Sequence, residues 1–207
     1  MAPPKLVLVT DRHSTVGRDL MEVVGAALDG GLPAVQLRDK DLPARALLTL
    51  AERLRALTVR SGALLFINDR VDVAIAVGAD GVHLPGDSMP VDVARGLLPA
   101  GALVGVSTHT AAEVAATTAD FAFFGPVYAT PSKAASGPPQ GVARLRDAVA
   151  GTRVPVLAIG GVDATHVPAV RAAGAAGVAV IRAILAADDP GKATRALLTA
   201  INPGGFP

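Results

Sequence analysis

One pattern recurs eight times along this chain of 207 residues. A short run rich in Val, Ile and Leu ends in polar residues, and an Ala- and Leu-rich stretch with helical character follows. LVLVTD at residues 6–11, for example, precedes such a stretch over about residues 19–29. Short apolar runs predict strands that are buried on both faces, and strict alternation of strand and helix predicts parallel pairing.

Eight such units in a chain of this length predict an α/β fold, a single-domain (β/α)8 TIM barrel over residues 1–207. An open, doubly wound parallel sheet is the alternative. It is disfavoured because no GxGxxG motif follows the first strand and because eight units can close a barrel. The longest irregular segment, TPSKAASGPPQ at residues 130–140, is typical of a loop that binds a ligand or moves.

The composition excludes several classes of function. Basic residues number 19 and acidic residues 18, and the net charge of +1 is too small to indicate a nucleic-acid partner. The chain has no Cys, which excludes disulfides, a thiol nucleophile, Fe–S clusters and cysteine-ligated zinc.

The hydropathy pattern predicts no membrane span. Arg182 interrupts the most apolar stretch, and the short N-terminal apolar run ends at Asp11, unlike the apolar region of a signal peptide. We therefore expect a cytoplasmic protein that binds neither nucleic acid nor membrane. The sequence leaves the formation of a homo-oligomer open.

Polar residues cluster at the carboxyl ends of the predicted strands, where a barrel carries its active site. Gln36, Arg38 and Lys40 occupy alternate positions at the end of the second strand, which predicts that they share one face. Arg and Lys side chains suit phosphate or pyrophosphate. The alternative, which the spacing does not exclude, is that Arg38 and Lys40 are solvated and pair with Asp39 and Asp41.

Two further strand ends carry candidate residues. Asp69 follows the apolar run LLFI and could hold Mg²⁺, although an Asp here also commonly caps the next helix. Gly160 and Gly161 end the seventh strand, where barrels often bind phosphate; a tight turn is the alternative reading.

Two single residues complete the set of candidates. Lys133 in the long loop could close on an anion. His109 follows the fifth strand and is a candidate acid or base, although a lone His is more often structural. Together these residues predict two anion-attracting regions at one mouth, and hence two phosphorylated small-molecule substrates or one bisphosphate.

The same segments resemble the thiamine phosphate synthase family. The resemblance extends over residues 5–184 and is carried, in chain order, by LVTDR, VQLRDK, INDRVDVAIAVGADGVHL, GVSTHT, FGPVYATPSK, AIGGV and GVAVIRAI. The TenI-like thiazole tautomerases belong to the same superfamily. The resemblance implies a transferase that joins 4-amino-2-methyl-5-(diphosphooxymethyl)pyrimidine to hydroxyethylthiazole phosphate. Pyrophosphate would leave by a dissociative route assisted by Mg²⁺.

The resemblance also implies roles for particular residues. The implied pyrimidine diphosphate site consists of Gln36, Arg38, Lys40, Asn68, Ser107 and Lys133. The implied thiazole phosphate site, formed largely by backbone, consists of Thr130, Ser132, Gly161, Ile181 and Arg182. Asp69 would be a ligand of Mg²⁺.

The chain departs from the synthase pattern at two places. Where synthases resemble HLGQED, with a metal ligand as the last residue, this chain reads HLPGDS. Ser88 therefore takes the ligand position, and Asp87, one residue earlier, would act as a second Mg²⁺ ligand through water. Arg182 stands where many family members have Ser.

These departures leave two alternatives to the synthase. HLPGDS favours a TenI-like tautomerase, which is an isomerase. Pro126 favours the synthase, because it occupies the position of the tautomerase's catalytic His and cannot transfer protons. The second alternative is a non-catalytic protein that binds thiazole phosphate or thiamine phosphate.

Overall fold

The structure, a computed structural model, describes residues 2–130 and 138–204. Eight parallel strands close into a barrel in sequence order, and β1 pairs with β8. The strands are β1 (Leu6–Val9), β2 (Ala34–Leu37), β3 (Leu64–Asn68), β4 (Gly81–Leu84), β5 (Leu103–Thr108), β6 (Phe121–Phe124), β7 (Val156–Ile159) and β8 (Gly177–Val180). The predicted (β/α)8 barrel is confirmed, and the open sheet is excluded.

Helices surround the barrel and connect successive strands. They are α1 (Leu20–Asp29), α2 (Ala44–Ser61), α3 (Val71–Ala76), α4 (Val91–Leu97), α5 (Ala111–Ala116), α6 (Gly141–Ala150), α7 (Val167–Ala172), α8 (Arg182–Leu185) and α9 (Pro190–Ile201). A 3₁₀ turn, Arg12–Ser14, lies between β1 and α1. No helix within the described residues is both long enough and apolar enough to cross a membrane.

The strand side chains alternate between two separate apolar cores. The outward residues pack against the helices, whereas Val7, Phe66, Phe121 and Leu157 belong to a small core inside the barrel. Gly105 makes room for that inner core, because a Cβ there would overlap the ring of Phe121. The inner core closes the middle of the barrel, so polar inward residues further along the strands lie at its carboxyl mouth.

Two strands end before polar residues that the sequence pattern places on them. β8 stops at Val180, where its pairing with β1 ends, and Arg182 begins a short helix instead of lying on the strand. β2 stops at Leu37, so Arg38 and Lys40 belong to the following loop.

Candidate active site

A polar cavity of about 280 Å³ opens at the carboxyl ends of β2 to β5. The predicted residues that line it are Gln36, Arg38, Lys40, Asn68, Asp87, Ser107 and His109. These residues come from four separate strand–loop segments, and the barrel brings them to one place. Lys133, predicted for the same site, lies outside the described residues.

Gln36 forms a buried part of the polar cavity, with only 2% of its surface exposed. Its Nε2 donates a hydrogen bond to Asn68 Oδ1 at 3.1 Å, which fixes the orientation of the amide. Its Oε1 is buried and has no hydrogen-bond donor among the described residues. Leaving a buried acceptor unsatisfied costs about 1–3 kcal/mol, so this oxygen suits a ligand that brings an N–H group.

Arg38 and Lys40 bring positive charge to the polar cavity without neutralisation by the adjacent acids. Asp39 and Asp41 lie against Arg12 instead, at 3.4 and 3.8 Å. No ion pair joins Arg38 or Lys40 to a carboxylate within residues 2–130 and 138–204. The alternative in which these cations pair with Asp39 and Asp41 is therefore wrong.

His83 is a buried member of the polar cavity that was not among the residues predicted from the sequence. Its ring lies 4.0 Å from that of Phe123, and its Nε2 is 3.4 Å from Ser107 Oγ. Burial, and to a lesser extent the charge of Arg38, lowers the pKa of His83 to about 3. The imidazole is therefore neutral near pH 7. Strand alternation was the available signal, because Val82 and Leu84 on either side belong to the outer core and His83 therefore points inward.

This buried histidine predicts a pH dependence of stability. Between about pH 6.5 and about pH 3 the unfolded chain binds a proton that folded His83 does not, so stability falls as the pH falls. From pH 7 to pH 5 we expect the free energy of unfolding to drop about 2 kcal/mol more in the unsubstituted protein than in His83→Gln. Urea denaturation at several pH values measures this difference. Parallel curves for the two proteins would contradict the assignment.

Asp69 has an unusual backbone conformation and does not cap α3. Its φ is +67°, a left-handed conformation that is uncommon outside Gly and that tends to occur at functional sites. Its Oδ1 accepts a hydrogen bond from the Ser88 hydroxyl. Arg70 is the N-cap residue of α3, and no side chain caps that helix. The capping alternative for Asp69 is therefore wrong, and its carboxylate faces Ser88 instead.

The oxygen donors around Asp69 determine which kind of metal site this part of the structure could form. Asp69, Asp87 and Ser88 line a second cavity of about 340 Å³, the loop cavity, together with Lys40 and Asn68. The described residues contain no group of three or more His, Asp or Glu side chains suited to a metal. Mg²⁺ prefers hard oxygen ligands and usually keeps several waters beside substrate phosphates. The donor set therefore fits Mg²⁺ shared with a diphosphate, and it does not fit a cage built from protein alone.

A third cavity of about 340 Å³, here called the glycine cavity, lies at the ends of β7 and β8. The predicted residues that line it are Thr130, Gly161, Ile181 and Arg182. Ser132, predicted for the same site, lies outside the described residues.

Gly161 lets the backbone approach closely in this cavity. Its φ is +63°, and a Cβ on it would lie 2.5 Å from the carbonyl oxygen of Ala129 and 2.8 Å from Tyr128 Cβ. Gly160 also has a positive φ, +95°. The positive φ and the close approach to the segment of Tyr128 and Ala129 both require Gly at position 161, so the turn that lines the cavity excludes a larger residue.

Asp163 brings a carboxylate to the glycine cavity, where its charge is locally compensated. The backbone N–H and the hydroxyl of Thr165 donate to its Oδ1 at 2.9 and 2.6 Å, and His166 Nδ1 lies 3.0 Å from the same oxygen. Burial raises the pKa of Asp163, but these contacts together outweigh burial and lower it. The carboxylate is directed toward its own loop, which reduces its repulsion of an anionic ligand.

The polar cavity and the glycine cavity share a wall formed by Ile159 and Ile181. Ligands in the two cavities would therefore meet at this wall. Sequence reasoning missed Ile159, although the signal was present: it lies two residues after Leu157, which belongs to the inner core, and so points inward.

His109 contacts backbone and side-chain groups at the end of β5. Its Nδ1 lies 2.6 Å from the carbonyl oxygen of Gly125, and its backbone N–H donates to Glu113 Oε2 at 2.6 Å. A carbonyl oxygen only accepts, so Nδ1 carries the proton and Nε2 is the nitrogen left for a ligand. The acid or base role of His109 stays a prediction.

The fold and these cavities define a class of protein, namely a (β/α)8 barrel with two adjoining cavities at its carboxyl mouth, one of which contains two cations. The family model for thiamine monophosphate synthase matches residues 6–184. The chain belongs to this family.

Individual relatives agree with the family assignment. A putative thiamine-phosphate synthase of Geobacter sulfurreducens is 55% identical over 201 residues, which cover 96% of this chain and 94% of that protein. The thiamine-phosphate synthase of Roseiflexus castenholzii is 45% identical over 193 residues, 92% of this chain and 85% of that protein. The solved structure of thiamine phosphate pyrophosphorylase from Pyrococcus furiosus matches with a TM-score of 0.86 and 37% identity, covering 96% of each chain. The resemblance predicted from the motifs is confirmed.

Proposed function

We propose that this chain is a thiamine phosphate synthase, a transferase that joins 4-amino-2-methyl-5-(diphosphooxymethyl)pyrimidine to hydroxyethylthiazole phosphate and releases pyrophosphate. The observation that carries the proposal is the pair of adjoining cavities with a common wall at Ile159 and Ile181. One cavity presents two cations and an unsatisfied amide oxygen, and the other presents a glycine turn. Two phosphorylated substrates that must react with each other need this arrangement.

The pyrimidine diphosphate would occupy the polar cavity. Its amino group can donate to Gln36 Oε1, the buried acceptor that has no donor among the described residues. Asn68 holds the Gln36 amide in the orientation that keeps this oxygen available. Arg38 and Lys40 would bind the diphosphate, with Ser107 and Lys133 as further contacts.

The thiazole phosphate would occupy the glycine cavity. The concave turn at Gly161 and the segment at Ile181 and Arg182 would hold its phosphate, together with Thr130 and Ser132. The thiazole ring would then face the Ile159–Ile181 wall, beyond which the pyrimidine lies. This arrangement would place the nucleophile beside the electrophile before any bond changes.

The proposed reaction needs charge stabilisation more than proton transfer. The C–O bond between the pyrimidine methylene and the diphosphate breaks, and its electron pair leaves with pyrophosphate. The lone pair of the thiazole nitrogen then forms the new C–N bond, so the product carries a positive thiazolium ring. No C–H bond breaks, and the residues required are cations at the leaving group and apolar walls that exclude water.

Mg²⁺ is part of the proposal. Asp69 would ligate it, with Asp87 acting through water and Ser88 holding the Asp69 carboxylate. When bound, the ion would neutralise negative charge on the departing pyrophosphate. Arg38 and Lys40 act on the same group from the polar cavity.

The proposal also covers the partners of the protein and its location in the cell. Its partners would be small phosphorylated substrates in the cytoplasm. We propose that one barrel domain suffices for both binding sites.

A direct assay tests the proposal. The purified protein, mixed with both substrates and Mg²⁺, should form thiamine phosphate, which oxidation converts to a fluorescent thiochrome. EDTA should abolish the signal, and excess Mg²⁺ should restore it. A folded protein that binds hydroxyethylthiazole phosphate yet forms no product would contradict the synthase, and aromatisation of the carboxythiazole tautomer would identify a tautomerase.

A further inference from the structure

We propose that Arg12 is a positioning residue that keeps Asp39 and Asp41 away from Arg38 and Lys40, so that these two cations remain free to bind the diphosphate of the substrate. Arg12 does not line the polar cavity, and none of the motifs discussed above gives it a role. The inference rests on the proposed function for the identity of that ligand, and on the geometry of the loops after β1 and β2 for everything else.

The loop after β2 alternates in charge. Arg38 and Lys40 line the polar cavity, while Asp39 and Asp41 lie between and after them. Adjacent acids and bases on a loop would ordinarily pair with one another or with solvent. Here the side chain of Asp39 is only 6% exposed, so its negative charge needs a partner within the protein.

Arg12 supplies that partner from the neighbouring loop. Its Nη1 lies 3.4 Å from Asp39 Oδ2, and its Nη2 lies 3.8 Å from Asp41 Oδ2. The two guanidinium nitrogens thus face one acid each. His13 Nε2 lies 3.8 Å from the same Asp41 oxygen, although that pair is largely exposed.

Hydrogen bonds in the segment that follows β1 hold the turn that contains Arg12. The Asp11 carboxylate accepts hydrogen bonds from the His13 N–H at 3.0 Å and from the Ser14 hydroxyl at 2.7 Å, which closes the 3₁₀ turn that carries Arg12. Thr10 connects the two loops directly, because its Oγ1 accepts a hydrogen bond from the Arg38 N–H at 2.9 Å. The backbone of Arg38 is therefore anchored to the segment that leads into the Arg12 turn.

Removing Arg12 would leave a buried carboxylate without a countercharge. Such a charge costs several kcal/mol unless it finds another partner, and the nearest cations along the chain are Arg38 and Lys40. A shift of Asp39 toward either of them would neutralise charge that the diphosphate needs. The expected defect is therefore weaker binding of the diphosphate with little effect on the thiazole phosphate.

Isothermal titration with inorganic pyrophosphate and Mg²⁺ tests the inference without turnover. Arg12→Gln should weaken pyrophosphate binding about tenfold, whereas Arg12→Gln combined with Asp39→Asn should return it to within about twofold of the unsubstituted protein. In the enzyme assay, Arg12→Gln should raise the KM for the pyrimidine diphosphate and leave the KM for the thiazole phosphate unchanged. Arg60→Gln, at the carboxyl end of α2, is the matched control and should bind pyrophosphate normally.

Several results would overturn the inference. Unchanged pyrophosphate affinity in Arg12→Gln would show that Arg12 is not needed. A loss that Asp39→Asn fails to repair would show that Arg12 contacts the anion or only braces the loop. Asp39→Asn alone should bind pyrophosphate at least as well as the unsubstituted protein, and weaker binding in this variant would also overturn the inference. If Arg12→Gln does not fold, the pyrophosphate affinity of Asp39→Asn tests the inference by itself. A protein that binds pyrophosphate as expected but forms no thiamine phosphate would refute only the proposed function.

Discussion

Replacing Asp69 by Asn should lower Mg²⁺-dependent turnover about 100-fold or more. The substitution keeps the size of the side chain and its ability to accept from Ser88, but it removes the negative charge. A metal ion at a departing phosphate contributes several kcal/mol of transition-state stabilisation, and each 1.4 kcal/mol is about tenfold in rate. Because Asp87 and Ser88 offer only weak alternatives, the loss of this carboxylate should not be compensated.

The measurement is turnover as a function of Mg²⁺ concentration. Asp69→Asn should require much more Mg²⁺ and reach a lower plateau. Asp72→Asn is a suitable control, since Asp72 lies in the first turn of α3 and pairs with Arg70 instead of facing the loop cavity. Equal Mg²⁺ dependence in Asp69→Asn and the unsubstituted protein would mean that Asp69 serves only to anchor Ser88.

Replacing Arg38 by Gln should lower kcat/KM for the pyrimidine diphosphate about 10- to 100-fold. A hydrogen bond to a charged group contributes about 1.5–3 kcal/mol, and Arg38 has no carboxylate within the described residues to which it is otherwise committed. We expect the effect mainly in the KM for the diphosphate. The KM for the thiazole phosphate should stay within about twofold, because Arg38 does not line the glycine cavity.

A second readout links this substitution to the structure. The charge of Arg38 contributes to the low pKa of His83, so Arg38→Gln should raise that pKa, with burial still keeping it well below its ordinary value. Titration of the His83 resonance by NMR would show the change. Arg53→Gln, on the exposed surface of α2, should alter neither the kinetics nor this pKa. Unchanged kcat/KM in Arg38→Gln would remove Arg38 from the diphosphate site.

Much of the candidate site was predictable because strand periodicity is local. Gln36 and Asn68 occupy inward positions at strand ends, and Arg38 and Lys40 continue the register of Gln36 along the chain. The same alternation of side chains along a strand also predicts inward positions for His83 and Ile159. The turn at the end of β7 was also predictable, because a pair of glycines after an apolar run indicates a turn that few other residues could form.

The partners of these residues were not predictable. Gln36 meets Asn68 across 32 positions of sequence, and Arg38 meets Thr10 across 28. Asp69 was expected either to cap α3 or to ligate a metal, and only the structure shows the Ser88 hydroxyl against it. The end of β8 at Val180, opposite Leu8 of β1 and before Arg182, was not predictable either.

The sequence by itself determined the barrel, its eight units and the residues at its mouth, because hydrophobic periodicity and turn residues act over a few neighbouring positions. Only the tertiary structure decided which charges neutralise each other. Asp39 is adjacent to two cations in the chain and yet pairs with Arg12, because the parallel pairing of β1 with β2 places the loops after these two strands side by side. Electrostatic partnership depends on distance in space and on burial, and neither can be read from the order of residues.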